Sequence, residues 1–272
     1  MPELPEVETI RRGIATYTVG KKIKIAIVRE KRLRWAVPDI LTTILPNQKI
    51  QKIHRRGKYL LLECSNGHIL IHLGMSGSLW VLPSDTPLKK HDHIDIVFTD
   101  DFCLRYHDPR RFGCMLWTSE PVFDHPLLVK LGIEPLSATF TGKYLHHHAK
   151  KRRIVVKNYI MDSHIVVGIG NIYANEALFL AGIHPTCAAG SISLKRYQHL
   201  AKKIKEVLHK AIEMGGTTLR NFSDSTGKPG YFKQSLCVYG RAGLACVQCH
   251  NTIIVKKIGQ RATYYCPMCQ PL

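Results

Sequence analysis

The sequence predicts an α+β fold: a β-rich N-terminal part, a helical part after it, and a small terminal hairpin built around four cysteines. Three observations predict this. Short runs of β-branched and apolar residues recur as far as Trp117, with turn signals between them. From Asn171 onward the apolar residues fall at helical spacing instead. Cys246, Cys249, Cys266 and Cys269 then form two Cys-x2-Cys pairs at the very end.

The first element is a helix. Pro5 suits a first helical turn, Val7, Ile10 and Ile14 share one face, and Gly20 closes the segment. Strand-like runs follow at 22–28, 59–64, 68–73, 78–82, 93–98, 104–106 and 114–117, and turns such as Ser65-Asn66-Gly67 and Asp108-Pro109 separate them. Such a series reads as a β-sandwich or a barrel. The character changes over 121–153: Glu134-Pro135 marks a boundary, and 144–153 is very basic. Asn171 can cap a helix that runs through Leu180, stopped by Gly182 and Pro185. A longer helix starts after Ser193, with Tyr197, Leu200, Ala201, Ile204, Leu208, Ala211 and Ile212 on one stripe, and ends at Gly215-Gly216. The segment 223–230 is almost free of apolar residues and reads as a mobile loop.

Of 272 residues, 39 are Lys or Arg and 20 are Asp or Glu, a formal net charge of +19. This excess implies a polyanionic partner, with nucleic acid ahead of an anionic membrane. No apolar stretch is long enough to span a bilayer, and the acidic start lacks a signal core. A soluble intracellular protein is expected. The five cysteines outside the terminal cluster (Cys64, Cys103, Cys114, Cys187 and Cys237) have no regular spacing, which fits a reducing compartment.

The start, Met1-Pro2-Glu3-Leu4-Pro5-Glu6, carries the sharpest chemistry. Removal of Met1 would leave Pro2 with a secondary amine, which condenses with an aldehyde to a permanently charged iminium ion. Glu3 and Glu6 lie within one helical turn and can move protons. The same residues also fit a plain helix start, since glutamates favour the positive end of the dipole. The two Cys-x2-Cys pairs, sixteen residues apart, match a closed tetrahedral site for one structural Zn2+. With four thiolates no position is open for catalysis, and the runs 253–255 and 262–265 suit a hairpin in which Arg261 faces phosphate. The segment 167–176 places glycines ahead of a helix, a phosphate seat or an ordinary helix start. Lys58 precedes an apolar strand, and Met75 and Phe112 sit in tight loops, as apolar wedges or as side chains folded onto the sheets.

Together these motifs resemble the formamidopyrimidine-DNA glycosylase family over essentially the whole chain. The motifs are the Pro-Glu-Leu-Pro-Glu-Val-Glu-Thr start, the Lys58 strand, His-Leu-Gly-Met-Ser-Gly at 72–77, Lys-His-Asp-His at 90–93 and Asp-Pro-Arg-Arg-Phe-Gly at 108–113. They continue with Gly-Asn-Ile-Tyr-Ala at 170–174, Gly-Lys-Pro-Gly-Tyr-Phe at 227–232 and the terminal cysteines. The resemblance implies a β-sandwich catalytic domain over 1–134, a helix–two-turn–helix DNA-binding domain over 135–234 and a zinc-finger hairpin over 235–272, with DNA between the first two. It implies excision of oxidised purines (8-oxoguanine and formamidopyrimidines) followed by β,δ-elimination at the abasic site. Pro2 would be the nucleophile, with Glu3, Glu6, Lys58 and Arg261 in the catalytic set. Met75, Arg110 and Phe112 would fill the void left by the extruded base, His91 and Asn171 would hold phosphates with Arg261, and Lys157 would be a further basic contact. The loop 217–231 would close over the base. The expected partner is duplex DNA with oxidised purines or abasic sites, bound by a monomer in a bacterial cytoplasm, associated with the nucleoid. Leu4 separates the chain from the pyrimidine-preferring endonuclease VIII branch, which typically has Gly there. That branch, and a non-catalytic zinc-finger binder of the same fold, are the alternatives.

Overall fold

In the computed structural model, residues 2–217 and 232–272 are described. The loop expected at 223–230, and all of 217–231 beyond Thr217, lie outside them, as does most of the 227–232 motif. Two compact units divide the chain: Met1–Val129 with Met214–Tyr231, and Lys130–Glu213 with Phe232–Leu272. The terminal cysteines thus share a unit with the helices, and the chain passes back to the first unit after Glu213.

In the first unit, α1 (Leu4–Thr18) precedes the strands β1 (Ile23–Val28), β2 (Lys52–Arg56), β3 (Tyr59–Cys64), β4 (Gly67–His72), β5 (Ser78–Pro83), β6 (Asp92–Phe98), β7 (Phe102–His107) and β8 (Cys114–Thr118). A single helical turn, α2 (Leu41–Ile44), lies between β1 and β2. The strands form two four-stranded antiparallel sheets, ordered β1-β6-β7-β5 and β2-β3-β4-β8. Two separate sheets settle the choice between sandwich and barrel. One core joins them: Leu60, Leu62, Ile69 and Ile71 from one sheet, Ile94, Ile96, Leu104 and Tyr106 from the other, and Val7, Ile10 and Ile14 from α1. Burying these side chains is the main force holding the sheets and α1 together.

β2 was not expected, because Lys-Ile-His-Arg-Arg offers one apolar residue and no alternation. Pairing with β3 creates it, in the register Ile53↔Leu62 through Arg56↔Tyr59. Tertiary pairing outweighs weak local preference.

The second unit holds α3 (Gly142–Ala149), α4 (Val156–Met161), α5 (Asn171–Leu180), α6 (Leu194–Glu213) and the hairpin β9 (Ile254–Ile258) and β10 (Arg261–Tyr265). The stripe expected on α6 is buried in full, joined by Val207. α5 starts one residue earlier in its capping than the sequence suggested. Gly170 is the N-cap and Asn171 the first helical residue, which frees the Asn171 side chain for another partner. The basic segment 144–153 is largely α3, capped by Thr141, whose hydroxyl accepts the Tyr144 N–H at 3.1 Å. No helix is long and apolar enough to cross a membrane among the described residues.

Candidate active site

Pro2 and Glu3 are buried, and α1 starts immediately behind them. Glu6 fixes this start. One carboxylate oxygen, Oε2, accepts the Glu3 N–H at 2.8 Å, half of a capping box. The other, Oε1, accepts the Thr217 N–H at 2.8 Å. Gly216 approaches so closely that a Cβ there would lie 3.0 Å from the same oxygen. One buried carboxylate therefore ties the chain start to the end of the described segment before residue 218.

Lys58 stands at the tip of a two-residue hairpin. Arg56 pairs with Tyr59, leaving only Gly57 and Lys58 to turn the chain. Gly57 adopts φ +56°, the positive value that such a turn demands at its first position. Arg55 braces the turn. Its Nη1 donates to the Gly57 carbonyl at 2.9 Å, and its Nε donates to Glu8 Oε2 of α1 at 3.2 Å. Burial pushes the Glu8 carboxyl up, but hydrogen bonds from Arg11 and Arg12 and the charges of Arg11 and Arg55 outweigh it, holding it below the usual range. The helix that carries Pro2, Glu3 and Glu6 is thus locked to the turn that carries Lys58.

His72 lies on the neighbouring strand β4, opposite Tyr59, with ring centroids 4.8 Å apart. Burial, then the charges of Lys58 and Arg34, lower its imidazole to about 4. The Gly74 N–H donates to Nδ1 at 3.0 Å, so the neutral ring carries its proton on Nε2. His72 opens the His-Leu-Gly-Met-Ser-Gly motif, but a lone histidine at a strand end gives no sign in the sequence of this burial.

Met75, Arg110 and Phe112 are exposed rather than folded onto the sheets; Met75 keeps 41% of its surface and Phe112 44%. The Arg110 guanidinium lies over the Phe112 ring, 4.7 Å from its centroid. His91 holds a left-handed backbone, φ +78°, between β5 and β6. Partial desolvation, followed by Lys90, His107, His93 and Arg111, holds its imidazole below the ordinary value.

In the second unit, Asn171, Lys157 and Arg261 converge on one hairpin. Asn171 Nδ2 donates to the Ala262 carbonyl at 3.0 Å, and the Lys157 ammonium donates to that carbonyl at 3.1 Å and to Thr263 Oγ1 at 2.6 Å. The Tyr264 N–H donates to Asn175 Oδ1 at 2.8 Å. Lys157, expected as a surface contact, is instead wholly buried, because α4 turns it inward onto the finger. Arg261 is exposed at the start of β10, directly after the tight turn Gly259–Gln260. Glu176 on α5 accepts the N–H groups of Cys237, Val238 and Tyr239 at 2.8, 3.0 and 2.8 Å, which anchors the approach to the finger.

The four cysteine sulfurs lie within 4.8 Å of one another, with Cys246 to Cys269 at 3.8 Å and Cys249 to Cys266 at 3.4 Å. This cluster can hold a metal ion. Four sulfurs at about 2.3 Å from a tetrahedral ion would stand about 3.8 Å apart, close to the spacing seen.

Two family models match the chain: the formamidopyrimidine-DNA glycosylase N-terminal domain over residues 1–115 and the formamidopyrimidine-DNA glycosylase H2TH domain over residues 131–223. The chain is 58% identical to the formamidopyrimidine-DNA glycosylase of Methylococcus capsulatus, over 99% of this chain and 100% of that protein. It is 56% identical to that of Nitrosococcus oceani, with the same coverage. Among solved structures it is similar to a mutant of the Lactococcus lactis protein in complex with a Fapy-dG-containing DNA: TM-score 0.93, 35% identity, 100% of both chains. The Thermus thermophilus protein is similar at TM-score 0.89 and 33% identity, over 99% of this chain and 98% of that one.

Proposed function

The chain belongs to the formamidopyrimidine-DNA glycosylase family, and on that premise we propose that it is a base-excision enzyme that removes oxidised purines from duplex DNA and then cleaves the strand at the abasic site. The observation that carries this reading is the braced chain start. Once Met1 is removed, the Pro2 nitrogen attacks C1′ of the damaged nucleotide, and the C1′–base bond breaks with a proton delivered to the leaving base. Glu3 protonates the ring oxygen as the sugar opens, and the nitrogen lone pair then forms the iminium bond. That charge acidifies the C2′ proton, so loss of the proton expels the 3′ phosphate; a second elimination expels the 5′ phosphate. Glu6 acts by holding Glu3 and Thr217 rather than by moving protons, since both its oxygens accept backbone N–H groups. Lys58, on its rigid turn, supplies a cation to the phosphate beside the reacting sugar.

His91, Asn171 and Arg261 clamp phosphates, and Met75, Arg110 and Phe112 fill the space that the extruded base leaves. Lys157 positions Arg261 by fixing Ala262 and Thr263. Cys246, Cys249, Cys266 and Cys269 hold one Zn2+, whose contribution is structural: it folds the hairpin that presents Arg261.

Borohydride reduction during reaction with a duplex containing 8-oxoguanine tests the mechanism. The parent protein should give a covalent DNA adduct, and Pro2→Gly should lower excision at least about a hundredfold while duplex affinity survives. Excision by the parent without any reducible adduct would refute Pro2 as the nucleophile. Comparing 8-oxoguanine opposite cytosine with thymine glycol separates purine from pyrimidine preference.

A further inference from the structure

Met75 belongs to one loop, and Arg110 and Phe112 to another, yet the backbones of the two loops are in contact. A Cβ on Gly74 would lie 2.4 Å from the Phe112 carbonyl carbon, and one on Gly113 would lie 2.3 Å from the His72 carbonyl oxygen. At their junction is Asp108, wholly buried. Its Oδ1 accepts the Ser76 hydroxyl at 2.7 Å and the Arg110 N–H at 3.3 Å; its Oδ2 accepts the Gly113 N–H at 2.9 Å and the Tyr106 hydroxyl at 3.2 Å. Its main chain reaches a third segment. The Asp108 N–H donates to the His91 carbonyl at 3.1 Å, and its carbonyl accepts His93 Nε2 at 2.8 Å and the Arg111 N–H at 3.2 Å.

We propose that Asp108 is a positioning residue for base extrusion: its carboxylate binds the 73–77 and 108–113 loops into one preformed wedge, and its main chain fixes His91 to the same body. The proposal rests on the void-filling role given above to Met75, Arg110 and Phe112. A wedge must replace the stacking of the lost base at the moment of insertion. Loops ordered only then would add their conformational entropy to the barrier, whereas loops ordered beforehand do not. Four donors converge on the position. A carboxylate suits it better than an amide, which would set an N–H against the backbone N–H of Arg110 or of Gly113.

The test compares Asp108→Asn, Ser76→Ala and Met75→Ala with the parent on two substrates. The first is a duplex with 8-oxoguanine opposite cytosine, read as single-turnover excision. The second is a single-stranded oligonucleotide with a preformed abasic site, read as borohydride trapping; it has no partner strand and no void to fill. Asp108→Asn should slow duplex excision about tenfold or more, and Ser76→Ala less, through loss of buried charge-assisted bonds. Trapping on the single strand should stay within about twofold of the parent, because the chemistry at the sugar does not need the wedge. Parental duplex excision by Asp108→Asn, or equal losses on both substrates, would overturn the proposal. Should Asp108→Asn fail to fold, as thermal unfolding would show, Ser76→Ala decides alone, and parental duplex excision by it overturns the idea. Parental excision by Met75→Ala would instead remove the wedge reading itself.

Discussion

At His72, burial and the charges of Lys58 and Arg34 act in the same direction and hold the imidazole at about 4, against 6.5 for a free histidine. In the unfolded chain the ring takes up its proton near 6.5, so between pH 6.5 and 4 the unfolded state binds more protons than the folded one. The sign follows directly. This contribution to stability is complete above pH 6.5 and is lost as the pH falls toward 4, with an upper bound of about 3 kcal/mol. His72→Asn keeps an acceptor for the Gly74 N–H but cannot titrate. Its unfolding free energy should fall less steeply than the parent's between pH 7 and 4.5 in denaturant titrations. Equal slopes would mean that the ring is not held neutral. Desolvation also lowers the imidazoles of His68, His91, His125 and His184, so the difference between the two proteins is the informative quantity.

At the level of elements, the finger hairpin is held from two sides. Lys157 of α4 and Asn171 of α5 share the Ala262 carbonyl, and Asn158 packs against the Gly259 turn. Lys157→Met keeps much of the buried volume and removes the ammonium, leaving the Thr263 hydroxyl with one fewer partner. It should destabilise the second unit by about 2 kcal/mol and weaken duplex binding, because Arg261 loses its fixed strand. Parental affinity with unchanged stability would show that the hairpin holds itself. None of this is visible in the sequence, where a lysine inside and a lysine outside look alike. What was legible is what local pattern decides. The apolar runs of β3 and β4, the stripe on α6 and the paired cysteines each point to their own structure, whatever surrounds them. What was not legible depends on partners distant in the chain. β2 exists because β3 pairs with it, and α4, Val-Lys-Asn-Tyr-Ile-Met, has a β-branched start that gives no helical signal. Asp108 reads as a turn former, and only the fold brings Ser76 and Gly113 to its carboxylate.

At the scale of the molecule, the sandwich and the terminal hairpin differ in how they are stabilised. The sandwich has a continuous core spanning two sheets and α1, whereas the buried cluster at the finger is Phe179, Val238, Ile253 and two of the cysteines themselves, Cys246 and Cys266. So small an apolar cluster does not offset the ordering entropy of the segment without a metal. With Zn2+ held by the four cysteines as proposed, a strong chelator, or replacing Cys249 with Ser, should therefore unfold the hairpin and leave the sandwich intact. Arg261 would then be unfixed, and the Ala262 carbonyl would move away from Lys157 and Asn171. With a net charge of +19 the protein should still meet DNA through unspecific phosphate contacts, so the loss should be selective. Affinity for lesion duplex should fall about tenfold or more toward that for undamaged duplex, and both should weaken steeply with added salt. Titration by fluorescence anisotropy at two salt concentrations, with and without chelator, measures both effects. A chelated protein that retains full preference for the lesion would show that the finger is not needed to hold Arg261, and that the sandwich loops alone discriminate damage.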